Sequence, residues 1–446
     1  VAQPIEAFRN ALKIPELKQR IIFTLIALLV YRFGSHIPTP GVDGHALSQR
    51  MGEMGGLLNF YNMFSGGAFA QATIFALGIM PNITASIIMS MLVLVVPHLE
   101  ALHKLGAEGQ KKINEYTRYG TIVLCIVQSI AVAGFLKGMN SSGGVPILMS
   151  QDPGIGFYLM CILSFTTGTA FLMWLGEQIS EHGVGNGMSV IIFGSIISSM
   201  PQAIAEMIRL VSIRELSFFK IGLLAVMFVF VIAGTIMVTT GQRRIPVQYP
   251  RQVKGRKVYG GSRNYLPLRV NQAGVIPIIF ASSLISLPSM LAQTVQNDWI
   301  QTVFGQWLSP GHFIYYVLDS TLIVVFSFFY TAVIFNPIEM ADNMKKYGGV
   351  IMGVRPGKAT AEYLNHVMTR ITLVGSMFLV IVSLLPSLLF SVVGIKDWNL
   401  VSFFGGTSLL IMVGVALDTV KQMEQHLIMR NYEGFAKGRR LRSRRG

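Results

Sequence analysis

Ten apolar runs, parted by polar gaps, constrain this chain more than any other feature. They lie at 20–38, 74–96, 119–136, 155–175, 188–208, 218–240, 271–291, 314–335, 371–389 and 403–420. A helix needs about 20 largely apolar residues to cross the hydrocarbon of a bilayer, and each run is near that length. With 52% hydrophobic and only 13% charged residues over 446 positions, the composition excludes a water-soluble domain of this size. The runs predict an all-α polytopic membrane protein with ten transmembrane helices.

The stretch 57–96 breaks the pattern. Residues 57–69 are apolar enough to enter a membrane but too short to cross it, and Asn59, Asn62, Ser65, Gly66 and Gly67 interrupt them. Such a segment reads as re-entrant. The run at 74–96 then carries Gly78 and Pro81 inside it. Interrupted backbone at membrane depth is tolerated only where protein or a water-filled cavity surrounds it, so this stretch is expected to line a pathway. A related pattern returns at 271–284. Gly78-Ile79-Met80-Pro81 aligns with Gly274-Val275-Ile276-Pro277, then Ile83 with Ile279, Ala85 with Ala281 and Ser86 with Ser282. Chance is the bland alternative, but paired Gly/Pro-interrupted segments in two halves of a chain point to an internal repeat around a central site.

Ten spans put both termini on one side, and the basic residues say which. Of 36 Lys and Arg, 29 fall in the terminal segments and the gaps on the terminal side; the other 7 are Arg32, Arg50, Lys137, Arg209, Arg214, Lys220 and Lys396. The positive-inside rule places both termini in the cytoplasm. Residues 1–19 read as an amphipathic helix on the membrane surface, with no cleavable leader expected before the first span. The expected organisation is an N-terminal half at 20–208, a C-terminal half at 209–420 and a basic cytoplasmic tail at 421–446. Loop 241–270 carries Arg243, Arg244, Arg251, Lys254, Arg256, Lys257, Arg263 and Arg269 with no acidic residue. Alternation at 245–249 and 256–259 about Lys254-Gly255 predicts a projecting β-hairpin. Its interleaved tyrosines, Tyr249, Tyr259 and Tyr265, favour docking on RNA phosphate or an acidic protein over a topology signal touching anionic lipid. In loop 336–370, Gly348, Gly349, Gly353, Pro356 and Gly357 frame one cation, Arg355, at a turn-rich tip.

The sequence carries no familiar catalytic or cofactor-binding motif. There is no GxxxxGK[ST] loop, and Gly183, Gly185 and Gly187 suit a tight turn. The eight histidines form no HExxH pair, and Cys125 and Cys161 each sit within an apolar run as small buried side chains. Asp319 and Asp418 lie near span ends. No enzyme activity, metal or cofactor is therefore expected. Ion-coupled carriers need ionisable groups deep in the bilayer. The interrupted segments offer Ile79, Ile83 and Ile279 there, with Ile192 and Ile411 in other spans, which suits an apolar constriction rather than a small-solute site.

The motifs NMFSGGA, FALGIMPNITASII, YTRYGT, FLMWLGEQI, GVGNG, AGVIP, FNP, GVRPG, VMTR and GGTSLLI occur in this order. In these the chain resembles the SecY family, the channel subunits of the bacterial Sec protein-translocation machinery. The resemblance implies two inverted five-helix halves and a re-entrant plug helix within 57–70, its residues Asn59, Phe60, Asn62, Met63, Phe64, Ser65, Gly66 and Gly67. It implies a pore ring of Ile79, Ile83, Met188, Ile192, Ile279 and Ile411, Met188 departing from the usual branched aliphatic. A lateral gate to lipid would involve Thr84, Ser86, Ile87, Gln128, Asn271, Ser282 and Ser283. Arg251, Arg256, Lys257 and Arg355 would dock the motor ATPase SecA or ribosomal RNA, and SecE and SecG would complete the complex. Signal-bearing secretory and membrane proteins would be the substrates, in the bacterial cytoplasmic membrane.

Overall fold

The computed structural model describes residues 14–54, 57–141, 146–149, 154–213, 217–249, 252–254, 257–259, 263–292, 307–308, 312–388 and 406–438. The expected surface helix at 1–19 and the end of the basic tail lie largely outside them. The helices are α1 (Pro15–Gly34), α2 (Gly44–Met54), α3 (Leu57–Phe64), α4 (Met80–Val95), α5 (Pro97–Lys104), α6 (Ala107–Ser141), α7 (Ile155–His182), α8 (Gly187–Ser212) and α9 (Phe218–Thr240). After strands β1 (Gln242–Gln248), β2 (Gln252–Lys254), β3 (Lys257–Tyr259) and β4 (Arg263–Arg269) come α10 (Ile276–Ala292), α11 (Phe313–Ile334) and α12 (Pro337–Lys346). Strand β5 (Val350–Ile351), α13 (Lys358–Leu388) and α14 (Gly406–Gly438) complete the set. Ten of the helices, α1, α4, α6 to α11, α13 and α14, coincide with the ten apolar runs. Among the described residues, six helices are long and apolar enough to cross a membrane unaided; α4 with α5 forms a broken pair bent by 97°.

Three departures from the sequence reading have physical causes. First, the run at 74–96 is not one span with Gly78 and Pro81 inside it. Helix α4 starts only at Met80; Gly78 has φ +56°, a conformation that favours glycine, and Pro81 occupies the first turn, where its missing N–H breaks no bond. The proline opens the helix instead of kinking it. Sixteen residues reach only about 24 Å, short of a ~30 Å hydrocarbon core, and the turns of 65–79 precede them. The run at 271–291 behaves alike: Gly274 has φ +64° and α10 begins at Ile276, with Pro277 second. Second, α6 and α13 begin well before their apolar runs, at Ala107 and Lys358, because hydropathy marks only the part of a helix at bilayer depth. Third, β1 pairs with β4 and β2 with β3, giving two nested hairpins where a single one was expected between 245–249 and 256–259.

The chain divides into two compact units, Val1–Glu206 with Met290–Gln301 and Ile411–Gly446, and Met207–Ser289 with Thr302–Leu410. In the first, α4, α6 and α7 pack together and α1 lies on α7. Glycine permits two close crossings. A Cβ at Gly168 on α7 would stand 1.9 Å from Ile74 O, and one at Gly187 would stand 1.7 Å from Gly176 O, so a side chain at either would force backbones apart. Arg118 on α6 forks onto Glu177 on α7 through Nε–Oε1 at 2.8 Å and Nη2–Oε2 at 2.7 Å. Its partial exposure limits it to about 1 kcal/mol or less.

In the second unit α11 and α9 lie on α13. Asp319, two turns into α11 and buried, accepts from Ser383 Oγ of α13 at 2.8 Å. The basic loops are joined: β5 pairs antiparallel with β1, so the sheet runs β4-β1-β5. Ile245, Val247, Leu268 and Ile351 bury their faces with Phe335 and Met344, and with Leu364, Val367, Met368 and Ile371 of α13. Asn336 caps α12 by accepting from the N–H groups of Ile338 and Glu339, with Pro337 at the first turn, which accounts for the FNP motif.

Candidate functional site

Helix α3 and the turn after it are seated inside the first unit. Tyr61, Met63, Phe64 and Ser65 are buried. Tyr61 Oη donates to Leu77 O at 3.0 Å, and Ser65 lies against Gly78, whose added Cβ would stand 3.6 Å from Ser65 Cα. The re-entrant segment thus rests on the two residues before Ile79. Its own turn is closed by Asn62 Oδ1, which accepts from Ala70 N–H at 2.8 Å, and by Ser65 Oγ, which accepts from Phe69 N–H at 3.0 Å. Asn59 and Phe60 lie within α3.

Four residues that sequence reasoning left out hold the turn from the other side. Tyr31 Oη donates to Ser65 O at 2.9 Å and meets Ser195 Oγ at 2.6 Å. Arg32 Nη1 donates to Gly66 O at 3.0 Å and to Ser198 Oγ at 3.3 Å. The Tyr31 ring is stacked on Phe75, which is stacked on Phe171 of α7, with interplanar angles of 8° and 7°. The stack aims the hydroxyl. No sequence signal links these residues, since 34 positions separate Tyr31 from Ser65 and 164 separate it from Ser195.

Of the residues proposed for the constriction, Ile79 stands at the N-cap of α4 and Ile83 one turn later, while Met188 and Ile192 have the same spacing on α8. Ile79, Ile192 and Ile411 are buried in the first unit and Ile279 in the second, with Ile83 half-buried. Met188 turns its sulfur onto Gly176 of α7: a Cβ added there would meet Sδ at 2.7 Å. The polar residues assigned to a gate are mostly satisfied within their own segments. Thr84 Oγ1 donates to Met80 O, Ser86 Oγ to Asn82 O, Ser282 Oγ to Ile279 O and Asn271 Nδ2 to Gly274 O. Back-bonding satisfies these hydroxyls without a partner on another segment, and Thr84, Asn271 and Ser282 are buried. Ile87 and Ser283 are buried, and buried Gln128 Oε1 has no hydrogen-bond partner among the described residues.

Arg355 is exposed between Gly353 at φ +84° and Gly357 at φ +103°, and Thr360 Oγ1 donates to its carbonyl at 2.9 Å. Exposed Tyr347 and Met352 share this region of the chain. Lys257 opens β3 opposite Lys254, whereas Arg251 and Arg256 lie outside the described residues. No group of three or more His, Cys, Asp or Glu able to hold a metal occurs among the described residues.

Fold and seat define a class first: a polytopic helical membrane protein in which a re-entrant helix rests on the interrupted start of a span. Comparison with known proteins supplies the family. A profile of the SecY family matches residues 73–420. The chain is 45% identical to the protein translocase subunit SecY of Streptomyces griseus, over 96% of this chain and 99% of that one. It is 45% identical to that of Escherichia coli K12, over 96% and 95%, and 42% identical to that of Thermotoga maritima, over 99% and 100%. Among solved structures, a protein-conducting channel aligns at TM-score 0.65 and 17% identity, covering 93% of this chain and 96% of that one. Sec61 from a canine ribosome–channel complex aligns at 0.58 and 16% identity with the same coverage. The chain belongs to the SecY family.

Proposed function

We infer that this chain is the channel-forming subunit of a Sec-type translocase, which passes unfolded secretory polypeptides across a membrane and releases transmembrane segments sideways into lipid. The observation that carries this is the re-entrant helix seated on Leu77–Gly78, directly before the first isoleucine of the interrupted span. In this reading Asn59 to Gly67, within 57–70, is a plug, and Ile79, Ile83, Met188, Ile192, Ile279 and Ile411 form the ring that seals around a passing chain. Branched apolar side chains suit a seal, because they offer no ligand to replace an ion's hydration shell. Thr84, Ser86, Ile87, Gln128, Asn271, Ser282 and Ser283 belong to the lateral gate.

The chain supplies no energy of its own, and SecA or the ribosome drives it, with SecE and SecG completing the complex. Both termini face the cytoplasm of a bacterium, where the basic loops meet SecA, ribosomal RNA and anionic phospholipid. Sharing of one sheet and one core supports treating the two loops as a single docking module. Arg355→Glu tests the reading in proteoliposomes holding the complete complex. SecA-driven import of a signal-bearing precursor should fall at least about tenfold while the complex stays assembled, since reversal repels an acidic partner surface. Normal import would return Arg355 to a solvated tip, and no import by the unaltered complex would overturn the channel assignment itself.

A further inference from the structure

Tyr31, Arg32, Ser195 and Ser198 belong to no motif used so far, yet all four converge on one turn, Ser65–Gly66. The fit is close. A Cβ at Gly66 would stand 2.8 Å from Tyr31 Oη, 3.1 Å from Ser198 Oγ and 3.2 Å from Ser195 Cα, so only glycine lets the turn settle into this cradle. Tyr31 and Ser195 are buried, as is Ser65.

The protons here do not match the contacts. Ser65 O can only accept, and Tyr31 Oη is its donor at 2.9 Å. Ile191 O can only accept, and Ser195 Oγ is its donor at 2.9 Å. The 2.6 Å contact between Tyr31 and Ser195 needs a proton too, so three contacts share two protons. With the turn in place, Tyr31 serves Ser65. With the turn gone, Tyr31 can donate to Ser195 Oγ while Ser195 donates to Ile191 O, and neither hydroxyl is stranded. Arg32 likewise keeps Ser198 when Gly66 O leaves.

Resting on the reading of Asn59 to Gly67 as a plug, we propose that Tyr31 and Arg32 latch it shut, and that Ser195 is the alternative acceptor that lets the latch release. Tyr31 and Ser195 therefore act in opposite directions. Tyr31→Phe keeps the ring stack but removes the donor to Ser65 O, and loosens the seated state alone. Ser195→Ala leaves the bond to Ser65 O and strands the tyrosine hydroxyl only after release, and so hinders opening. A buried polar group left without a partner shifts such an equilibrium by about tenfold.

The test uses the complete complex in proteoliposomes and planar bilayers, with Met63→Cys as a buried reporter. Labelling by a membrane-impermeant maleimide, with and without added signal peptide, follows plug opening, and resting current follows the seal. Tyr31→Phe and Arg32→Gln should raise both readouts about tenfold. Ser195→Ala should slow signal-peptide-triggered labelling several-fold. Changes of one sign in Tyr31→Phe and Ser195→Ala, or no change in either, would overturn the latch, because a purely packing role predicts loosening by both. Deletion of 59–67 is the separate arm. If it leaves resting current unchanged, the plug reading itself falls; if it leaks while the point variants do not, only the latch does.

Discussion

The two interrupted segments, one in each unit, have the same backbone and different neighbours. In each, a glycine at φ near +60° is followed three residues later by proline in the first turn of a helix: Gly78 and Pro81, Gly274 and Pro277. In each, the carbonyl four residues before that glycine is met by a glycine on another helix, Ile74 O by Gly168 and Val270 O by Gly375. Their fastenings then diverge. Gly78 O accepts from Thr169 of α7, Leu77 O accepts from Tyr61, and Ser65 packs on Gly78. Gly274 O accepts from Asn271 in its own turn, no described atom lies within 4 Å of where a Cβ on Gly274 would stand, and Ser376, beside Gly375, bonds back to Leu373 O. A repeated backbone thus does two jobs: one copy is a seat for another segment, and the other closes its own turn.

If both segments line one constriction, Ile83→Asn and Ile279→Asn should each raise resting ion current in planar bilayers. The double variant should leak most, with looser discrimination against defective signal sequences. Leak from Ile83→Asn alone would break the comparison, and a well-folded double variant without extra current would remove both from the ring. Next in size are the close crossings. Gly168→Ala, with its Cβ 1.9 Å from a carbonyl oxygen, should destabilise by about 3 kcal/mol, and Gly375→Ala, at 2.7 Å, by about 1 kcal/mol. Thermal melting of the purified complex would show this order, and its reversal would undo the parallel. Gly78→Ala and Gly274→Ala should each cost roughly 1–2 kcal/mol in the same assay, since both force an L-residue into the left-handed region. A large inequality would mean that the similar φ values hide different strain. The smallest effect should separate Thr169→Ala, about 1 kcal/mol through loss of the donor to Gly78 O, from Ser376→Ala, near zero because Leu373 O is a helix carbonyl. Equal effects would erase the distinction between a seat fastened from outside and a turn that closes on itself.

Much of this was legible in the order of residues. Hydrophobic runs located ten helices, because the cost of unpaired backbone in lipid leaves a long apolar segment little choice but helix. The two Gly-x-x-Pro segments exposed the repeat, because left-handed turns and first-turn prolines have strong residue preferences. The alternation of Ile245 and Val247 marked a strand but not its partner: β4 won over the nearer residues, and β5 joined from the next loop. Strand pairing depends on which faces find a common core, here with Phe335, Met344 and α13.

The re-entrant segment itself was visible as a run too short to cross; what holds it was not. Tyr31 and Arg32 looked like the end of a span, Ser195 and Ser198 like ordinary small residues of another, and Gly66 like one of several breaks in a short apolar run. A residue's type sets which hydrogen bonds it can make. Only the packing of α1 and α8 around one turn decided which of them are made, because hydrogen bonds form between atoms about 3 Å apart, whatever their distance along the chain.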